Sequence, residues 1–414
     1  MQARIRTVIM RGGTSRGLFF WDEDLPVDPK ARTWAILTAF GSPDQYGRQI
    51  DGLGGATSLT SKAAIISRGT QPGIDVNFTF GQVSIEKPLI DMRGNCGNIS
   101  SAIGPYAIDE GLVACQEPLT PVRFLNTNTG KVMVAHVPTR NGRFEPEGDY
   151  AIAGVPGTGS KIVLDFLDPG GAVTGKLLPT GQVREMLHVP GLGHIEVSIV
   201  DAANPLVFCR CEDFGLSGRE MPEQIDNNQE LLLRIGATRA AAGVAIGLAD
   251  SIEEATHSVP SVPKIAFVRR PRSYLQLDGE LREAADVDLL ARIMSMGHLH
   301  RAYALTGAIC TTVAAQIPGT LVYEAVSERA RASGRLRLGH PSGVMDLWAS
   351  VHKQAEGWYV EKASATRTAR RLMEGYIYTP ERLFGRGKQV VATPANARNG
   401  SRKVSFNAFT GKVM

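Results

Sequence analysis

The stretch Arg93-Gly94-Asn95-Cys96-Gly97-Asn98-Ile99-Ser100-Ser101 constrains this chain more than any other. It is a polar turn that runs straight into an apolar helix. Ile99, Ala102, Ile103, Tyr106 and Ala107 fall at i, i+3, i+4, i+7 and i+8, one face of a helical repeat. Asn95 and Asn98 are capping residue types, and Gly97 lets the backbone turn tightly or approach a ligand. A thiol at the start of a helix feels the positive end of its dipole, which favours the thiolate. A lone cysteine is more often an inert apolar residue. Cys96 is singled out because it stands between two Asn-Gly-type turns. Pro105, inside the helical stretch, should bend it or force a local irregularity.

With 414 residues, the chain is too long for one ordinary domain, and two or three are expected. No run of about eighteen apolar residues occurs, so no membrane span is expected. The N-terminus reads as the start of a strand, without the apolar core of a secretory signal. Cys96, Cys115, Cys209, Cys211 and Cys310 are odd in number and lack framework spacing, which favours a reduced, cytoplasmic protein. A net charge of +4 suits an anionic small molecule better than nucleic acid, where basic residues should cluster.

Arg4 to Val8 reads as a strand leading into Met10-Arg11-Gly12-Gly13-Thr14-Ser15-Arg16-Gly17. There three glycines gather N–H groups, two hydroxyls and a guanidinium suited to a carboxylate, or simply make a hairpin turn. Residues 29–40 form a helix candidate. The glycines between Gly52 and Gly55 fit neither G-x-G-x-x-G nor a Walker pattern, so nucleotide binding is rejected. Lys62 precedes an apolar strand. An amine at the edge of buried structure loses its proton readily, although a snorkelling surface lysine is the commoner case. Strands are expected at 76–85, 89–91, 122–125, 132–137, 195–200, 206–208, 262–268, 320–323, 335–338, 344–351, 358–363 and 375–378. Helices are expected at 231–248 and 286–296. A further helix opens at Thr306-Gly307, with Ile309, Val313 and Ile317 on one side and Cys310 as packing. Cys209 and Cys211 share a strand face, and no ligand pair has metal spacing. His298 and His300 make no metal motif. The pattern pauses at Lys176 to Gln182, which sets the expected domains at 1–182 and 183–384. A basic polar tail at 385–414 is expected to be poorly ordered. Each half carries strands, a glycine turn opening one helix, then more strands. Two such helix starts facing each other would form an anion site.

The chain resembles the PrpF family, within the diaminopimelate epimerase-like superfamily. The resemblance rests on MRGGTSRG, QIDGLGGATSLTSK, FGQVSIEKP, GNCGNISSAIGPYAIDEGL, LNTNTGK, GKLLPTG, ALTGA, GHPSG and RRLMEGYIY, in order from residue 10 to about 378. The family contains 2-methylaconitate cis-trans isomerases, 3-methylitaconate Δ-isomerases and 4-oxalomesaconate tautomerases. IDEGL, LNTNTGK and VPGT look most like the methylitaconate branch; FGQVSIEKP and GSPDQYG look like the methylaconitate branch. The resemblance thus assigns a substrate class, short unsaturated di- and tricarboxylates, and no single substrate.

It implies an α+β fold of two pseudo-symmetric domains, each a curved, mostly antiparallel sheet around a central helix, with the site between them. It also implies that Lys62 and Cys96 meet there as proton carriers. Thr14, Ser15, Arg16, Asn95, Gly97, Asn98, Thr306, Gly307, His340 and Ser342 are the expected substrate-binding residues. Diaminopimelate epimerases carry a second cysteine across the cleft. Ala304 stands at that position here, which argues against a two-thiol racemase. The expected chemistry removes a proton beside a C=C–COO⁻ system and returns one through a stabilised dienolate. It requires no metal or organic cofactor. A homodimer, and a link to an aconitase-like dehydratase in propionate catabolism, are compatible with the resemblance. A non-catalytic polycarboxylate-binding or accessory protein is the competing reading.

Overall fold

The computed structural model describes residues 2–355 and 357–384. Its first half opens on β1 (Gln2–Gly12) and β2 (Ser15–Trp21), an antiparallel hairpin. Gly13 in the turn takes φ 51°, a left-handed conformation that glycine adopts without strain. β3 (Lys62–Arg68) runs parallel to β2 and antiparallel to β4 (Val76–Val83). β5 (Leu119–Asn126) is parallel to β4; β6 (Lys131–Arg140) and β7 (Ile162–Leu167) continue antiparallel.

The second half repeats that order and sense. β8 (Glu185–Val189) pairs with β9 (Gly193–Ala202), which forms a hairpin with β10 (Asn204–Arg210). β11 (Lys264–Arg269) is parallel to β10 and antiparallel to β12 (Leu289–Ser295). β13 (Arg335–His340) is parallel to β12, and β14 (Gly343–Gln354) and β15 (Gly357–Arg367) follow antiparallel. Strands β9 to β15 therefore restate β1 to β7, one for one.

The two sheets fuse where β7 pairs with β15, and there the Ser364 hydroxyl donates to Asp165 at 2.6 Å. The last strand, β16 (Ala369–Pro380), crosses back and pairs along β1. β16 thus lies after residue 182 in the chain and pairs with the first strand. Without β16, one side of β1 would present a row of unpaired N–H and C=O groups.

Helix α1 (Pro29–Phe40) has the expected span. It begins on Asp28, whose carboxylate accepts from the Ala31 N–H at 2.8 Å, and ends at Gly41 with φ 70°. The apolar helix after Cys96 is split into α2 (Gly97–Ser100) and α3 (Ile103–Asp109). Pro105 has no N–H to give the carbonyl of Ser101, four residues back, which accounts for the interruption. The first sheet wraps this pair: Ile99, Ile103 and Tyr106 pack among Val8, Phe19, Phe78, Phe124 and Leu164. Helix α4 (Gln229–Ala245) covers the outer face of the second sheet, with Leu231 and Ile235 against Val197 and Phe267. Helix α5 (Leu305–Ala314) is the core of the second half. It is buried at every residue rather than along the one face expected, because the sheet surrounds it. The Cys310 thiol donates to the Val200 carbonyl and is packing, as expected.

Two local expectations are overturned. Residues 286–296 were expected to be helical, yet Leu289–Ser295 is strand β12. All seven of its residues are buried, so the sequence shows no alternation to mark it. Residues 320–323 were expected as strand but open a short helix, Leu321–Ala325. The Thr320 hydroxyl caps it by accepting from the Tyr323 N–H at 3.0 Å. The tail from Gly385 onward lies outside the described residues. Among the described residues, no helix is long and apolar enough to cross a membrane. The α+β class and the paired halves, each a curved sheet around a central helix, are as expected.

Gly12 tests how tightly β1 meets the start of α2. A Cβ there would lie 2.3 Å from the Asn98 carbonyl oxygen, a backbone atom that cannot step aside. Gly12→Ala should destabilise the protein by about 1–3 kcal/mol in urea unfolding. Gly236→Ala, at an exposed mid-helix site with nothing within 4 Å of the new methyl, should stabilise it by about 0.5–1 kcal/mol.

Candidate active site

The repeat brings equivalent positions of the two halves to one small cavity, of about 30 Å³. Ser15 and Asn204 are the first residues of β2 and β10; Lys62 and Lys264 are the first residues of β3 and β11. Cys96 and Ala304 precede the first turns of α2 and α5, and Asn98 and Thr306 are the second residues of those helices. All eight line the cavity, joined by Phe80, Gln82, Ser295 and His300. No aspartate or glutamate is among its lining residues.

Lys62 is buried and donates from Nζ to Gln82 Oε1 at 2.6 Å. The Gln82 amide nitrogen donates to the carbonyls of Ser61 at 3.0 Å and Ser58 at 3.3 Å, so its oxygen is the atom left to face the lysine. The amine also lies 5.2 Å from the centre of the Phe80 ring. A neutral amide and an aromatic face hold this lysine, where a carboxylate would tie it up as an ion pair. The surface-lysine reading is thereby excluded.

The Cys96 backbone N–H donates to its neighbour's side chain, Asn95 Oδ1, at 2.6 Å, and the Ser100 hydroxyl donates to the Cys96 carbonyl at 3.0 Å. The thiol is thus presented by a closed local turn. The helix behind it has four residues before the break, so its dipole is that of one turn. Asn204 ties this turn to the other half. Its Oδ1 accepts from the Asn95 N–H at 2.9 Å, and its Nδ2 donates to the Asn95 carbonyl at 2.8 Å and to the Thr306 hydroxyl at 3.0 Å. Gly97 lets the two helix starts touch, since a Cβ there would lie 3.0 Å from Leu305.

Of the expected binding residues, Ser15, Asn95, Gly97, Asn98 and Thr306 line the cavity with Lys62 and Cys96. The Ser15 hydroxyl is buried without a partner. Asn98 is clamped: its Nδ2 donates to the Thr14 hydroxyl at 3.1 Å and its Oδ1 accepts from Arg367 Nε at 3.0 Å. Thr14, Arg16, Gly307, His340 and Ser342 do not line the cavity. Arg16 reaches toward the Leu53 carbonyl, and Gly307 packs under Ile293. The Ser342 hydroxyl donates to the Arg301 carbonyl at 2.6 Å. His340 is buried, and burial together with the nearby Arg367 holds its imidazole well below its usual range, so it is neutral.

Lys264, Asn204 and His300 were not singled out as site residues by the sequence. Lys264 donates to the Ser261 carbonyl at 2.9 Å, and burial, then the proximity of Lys62, draws its amine down to about 8. A signal existed: Lys264 stands before Ile265-Ala266-Phe267-Val268 as Lys62 stands before Ala63-Ala64-Ile65-Ile66. His300 Nδ1 accepts from the Ala302 N–H at 3.0 Å, which leaves Nε2 as the protonated nitrogen of the neutral ring. Burial, with Lys62 and Lys264 nearby, pulls its pKa down to about 3.

Comparison with known proteins places this geometry. The family described as PrpF protein matches residues 2–380. The chain is 47% identical to a 3-methylitaconate isomerase of Eubacterium barkeri, over 91% of this chain and 97% of that protein. It is 40% identical to a 2-methyl-aconitate isomerase of Shewanella oneidensis, over 92% of this chain and 98% of that protein. A solved methylitaconate-delta-isomerase superposes with a TM-score of 0.75 at 46% identity, covering 92% of this chain and 97% of that one.

His300 makes stability depend on pH. An unfolded imidazole takes up its proton near 6.5, whereas the folded one does so only near 3. Its contribution is therefore complete above about pH 6.5 and is lost as pH falls toward 3. His300→Asn should flatten the decline in urea-unfolding free energy between pH 6.5 and 4.

Proposed function

The chain belongs to the PrpF family, and on that premise we propose that it is a cofactor-independent isomerase of short unsaturated di- and tricarboxylates. The reaction is a cis-trans or allylic shift of the kind named for its relatives, 2-methylaconitate or methylitaconate isomerisation. The observation that supports the reading is that Lys62 and Cys96 line one cavity which, among the described residues, holds two lysines and no acid.

Lys62 takes the proton from the carbon next to the C=C–COO⁻ system. The C–H electron pair moves into the conjugated system and leaves a dienolate. With double-bond character lost, the bond rotates or the C=C migrates. A proton then returns from Lys62 or from the Cys96 thiol, at the same carbon or at the far end of the allyl unit. A neutral amine is needed for the first step, and Gln82 accepts a hydrogen bond from it without fixing its charge. The first N–H groups of a helix have no intrahelical acceptor. Here they belong to Gly97, Asn98, Leu305 and Thr306, all at the cavity, and they suit the developing oxyanion. One such donor contributes about 3 kcal/mol to a transition state.

Carboxylates of the substrate would meet the Ser15 hydroxyl, the Asn98 amide and the Thr306 hydroxyl. A cytoplasmic setting, a homodimer, and receipt of substrate from an aconitase-like dehydratase belong to the same proposal, supported by the family resemblance. The accessory-protein reading is not favoured, because the close relatives are named isomerases.

Proton exchange tests the proposal. Purified protein should incorporate deuterium from D₂O into methylitaconate or 2-methylaconitate, followed by NMR. Lys62→Ala and Cys96→Ser should each slow exchange by orders of magnitude, and ordinary rates in both would overturn the role assignment. Gln82→Glu should also slow exchange sharply at neutral pH with both carriers intact, because a carboxylate beside Lys62 would hold its proton.

A further inference from the structure

The cavity contains two lysines, and the chemistry above uses one. Lys264 is the pseudo-symmetric counterpart of Lys62. Each opens a strand that runs parallel to the second strand of a hairpin, with Gly17 opposite Lys62 and Leu206 opposite Lys264. The resemblance ends with their neighbours. In the first half the residue before the central helix is Cys96; at the matching place in the second half, the half of Lys264, stands Ala304. The other polar cavity-lining groups of the second half are Asn204, Ser261, Ser295 and Thr306, which form hydrogen bonds but do not carry protons, and His300, whose ring burial keeps neutral. The second half thus keeps the cation and the hydrogen-bonding residues and lacks the thiol.

Resting on the isomerase reading, we propose that Lys264 is the carboxylate anchor of the second half. It grips a carboxylate that Lys62 and Cys96 do not touch, and so selects di- and tricarboxylates over monocarboxylates. One donor of its ammonium is fixed on the Ser261 carbonyl, which leaves two for a ligand. The charged and titratable groups around it are Lys62, Cys96, Asp91, Arg239 and His300. Asp91 does not neutralise it from within the cavity: it lies outside the lining, and its two oxygens accept from the N–H groups of Arg93 and Ser261. With burial and Lys62 drawing the free amine to about 8, an arriving carboxylate restores the charge and is bound together with a proton as pH rises past that value.

Binding of propane-1,2,3-tricarboxylate, which has no C=C to react, is the direct test. By calorimetry, affinity for the wild-type protein should fall about tenfold between pH 7 and 9. Lys264→Met should weaken binding at pH 7 at least tenfold and remove much of the pH dependence. Lys264→Arg should keep the affinity at pH 7 and also flatten the fall, since guanidinium does not titrate there. Crotonate, a monocarboxylate, should bind weakly to all three. In turnover, Lys264→Met should raise KM for a dicarboxylate far more than it lowers kcat. Unchanged affinity and KM in both variants would overturn the anchor. So would a collapse of kcat and deuterium exchange at constant KM, which would make Lys264 a proton carrier instead. Absence of exchange in the wild type, with tricarboxylate binding that still depends on Lys264, would remove the isomerase reading and leave the anchor standing.

Discussion

The geometry depends on one side chain, the amide of Asn204, hydrogen-bonded to both backbone groups of Asn95. An amide matches a peptide unit in shape and in its donor and acceptor, so Asn204 extends the backbone pairing across the junction of the halves. Its remaining donor holds Thr306, at the start of the opposing helix. Both helix starts are thereby set against each other, and the Cys96 turn cannot move without breaking bonds in a buried place where water does not replace them.

The charges around that junction follow a consistent rule. Lysines 62 and 264 face neutral acceptors, Gln82 and the Ser261 carbonyl. Arg367, buried behind Asn98, donates to the Thr366 carbonyl and to Asn98, and burial pulls its pKa down to about 10. Asp91 acts on Lys264 from outside the cavity lining, its oxygens accepting from the N–H groups of Arg93 and Ser261, and Glu110 is held between Arg6 and Arg371. A region that collects cations and withholds acids keeps a standing attraction for anions, and the attraction is strongest where water is scarce.

The sequence revealed local features well. The helix 29–40, the Cys96 turn and the disruption by Pro105 rest on patterns within a few residues, whereas the paired halves were legible through the echo along the chain and the family resemblance. Strand β12 escaped because burial on both faces erases alternation. Lys264 and Asn204 escaped for a different reason. Asn204 carries no local motif and Lys264 only the mark of a lysine before an apolar run, and each acquires its role only when the repeat matches β10 and β11 to β2 and β3. Arg16 shows the reverse: a residue well suited to anions, in a promising turn, whose side chain the fold directs to the Leu53 loop.

Strand β16 also has a bearing on how the protein is made. Translation proceeds from the N-terminus, and domains commonly fold as they emerge. Here β1 waits for a mate more than 350 residues downstream. The first lobe is therefore closed only once β16 has been made, and until then one side of β1 is an open edge. The first lobe thus takes its closing strand from chain that lies beyond the second.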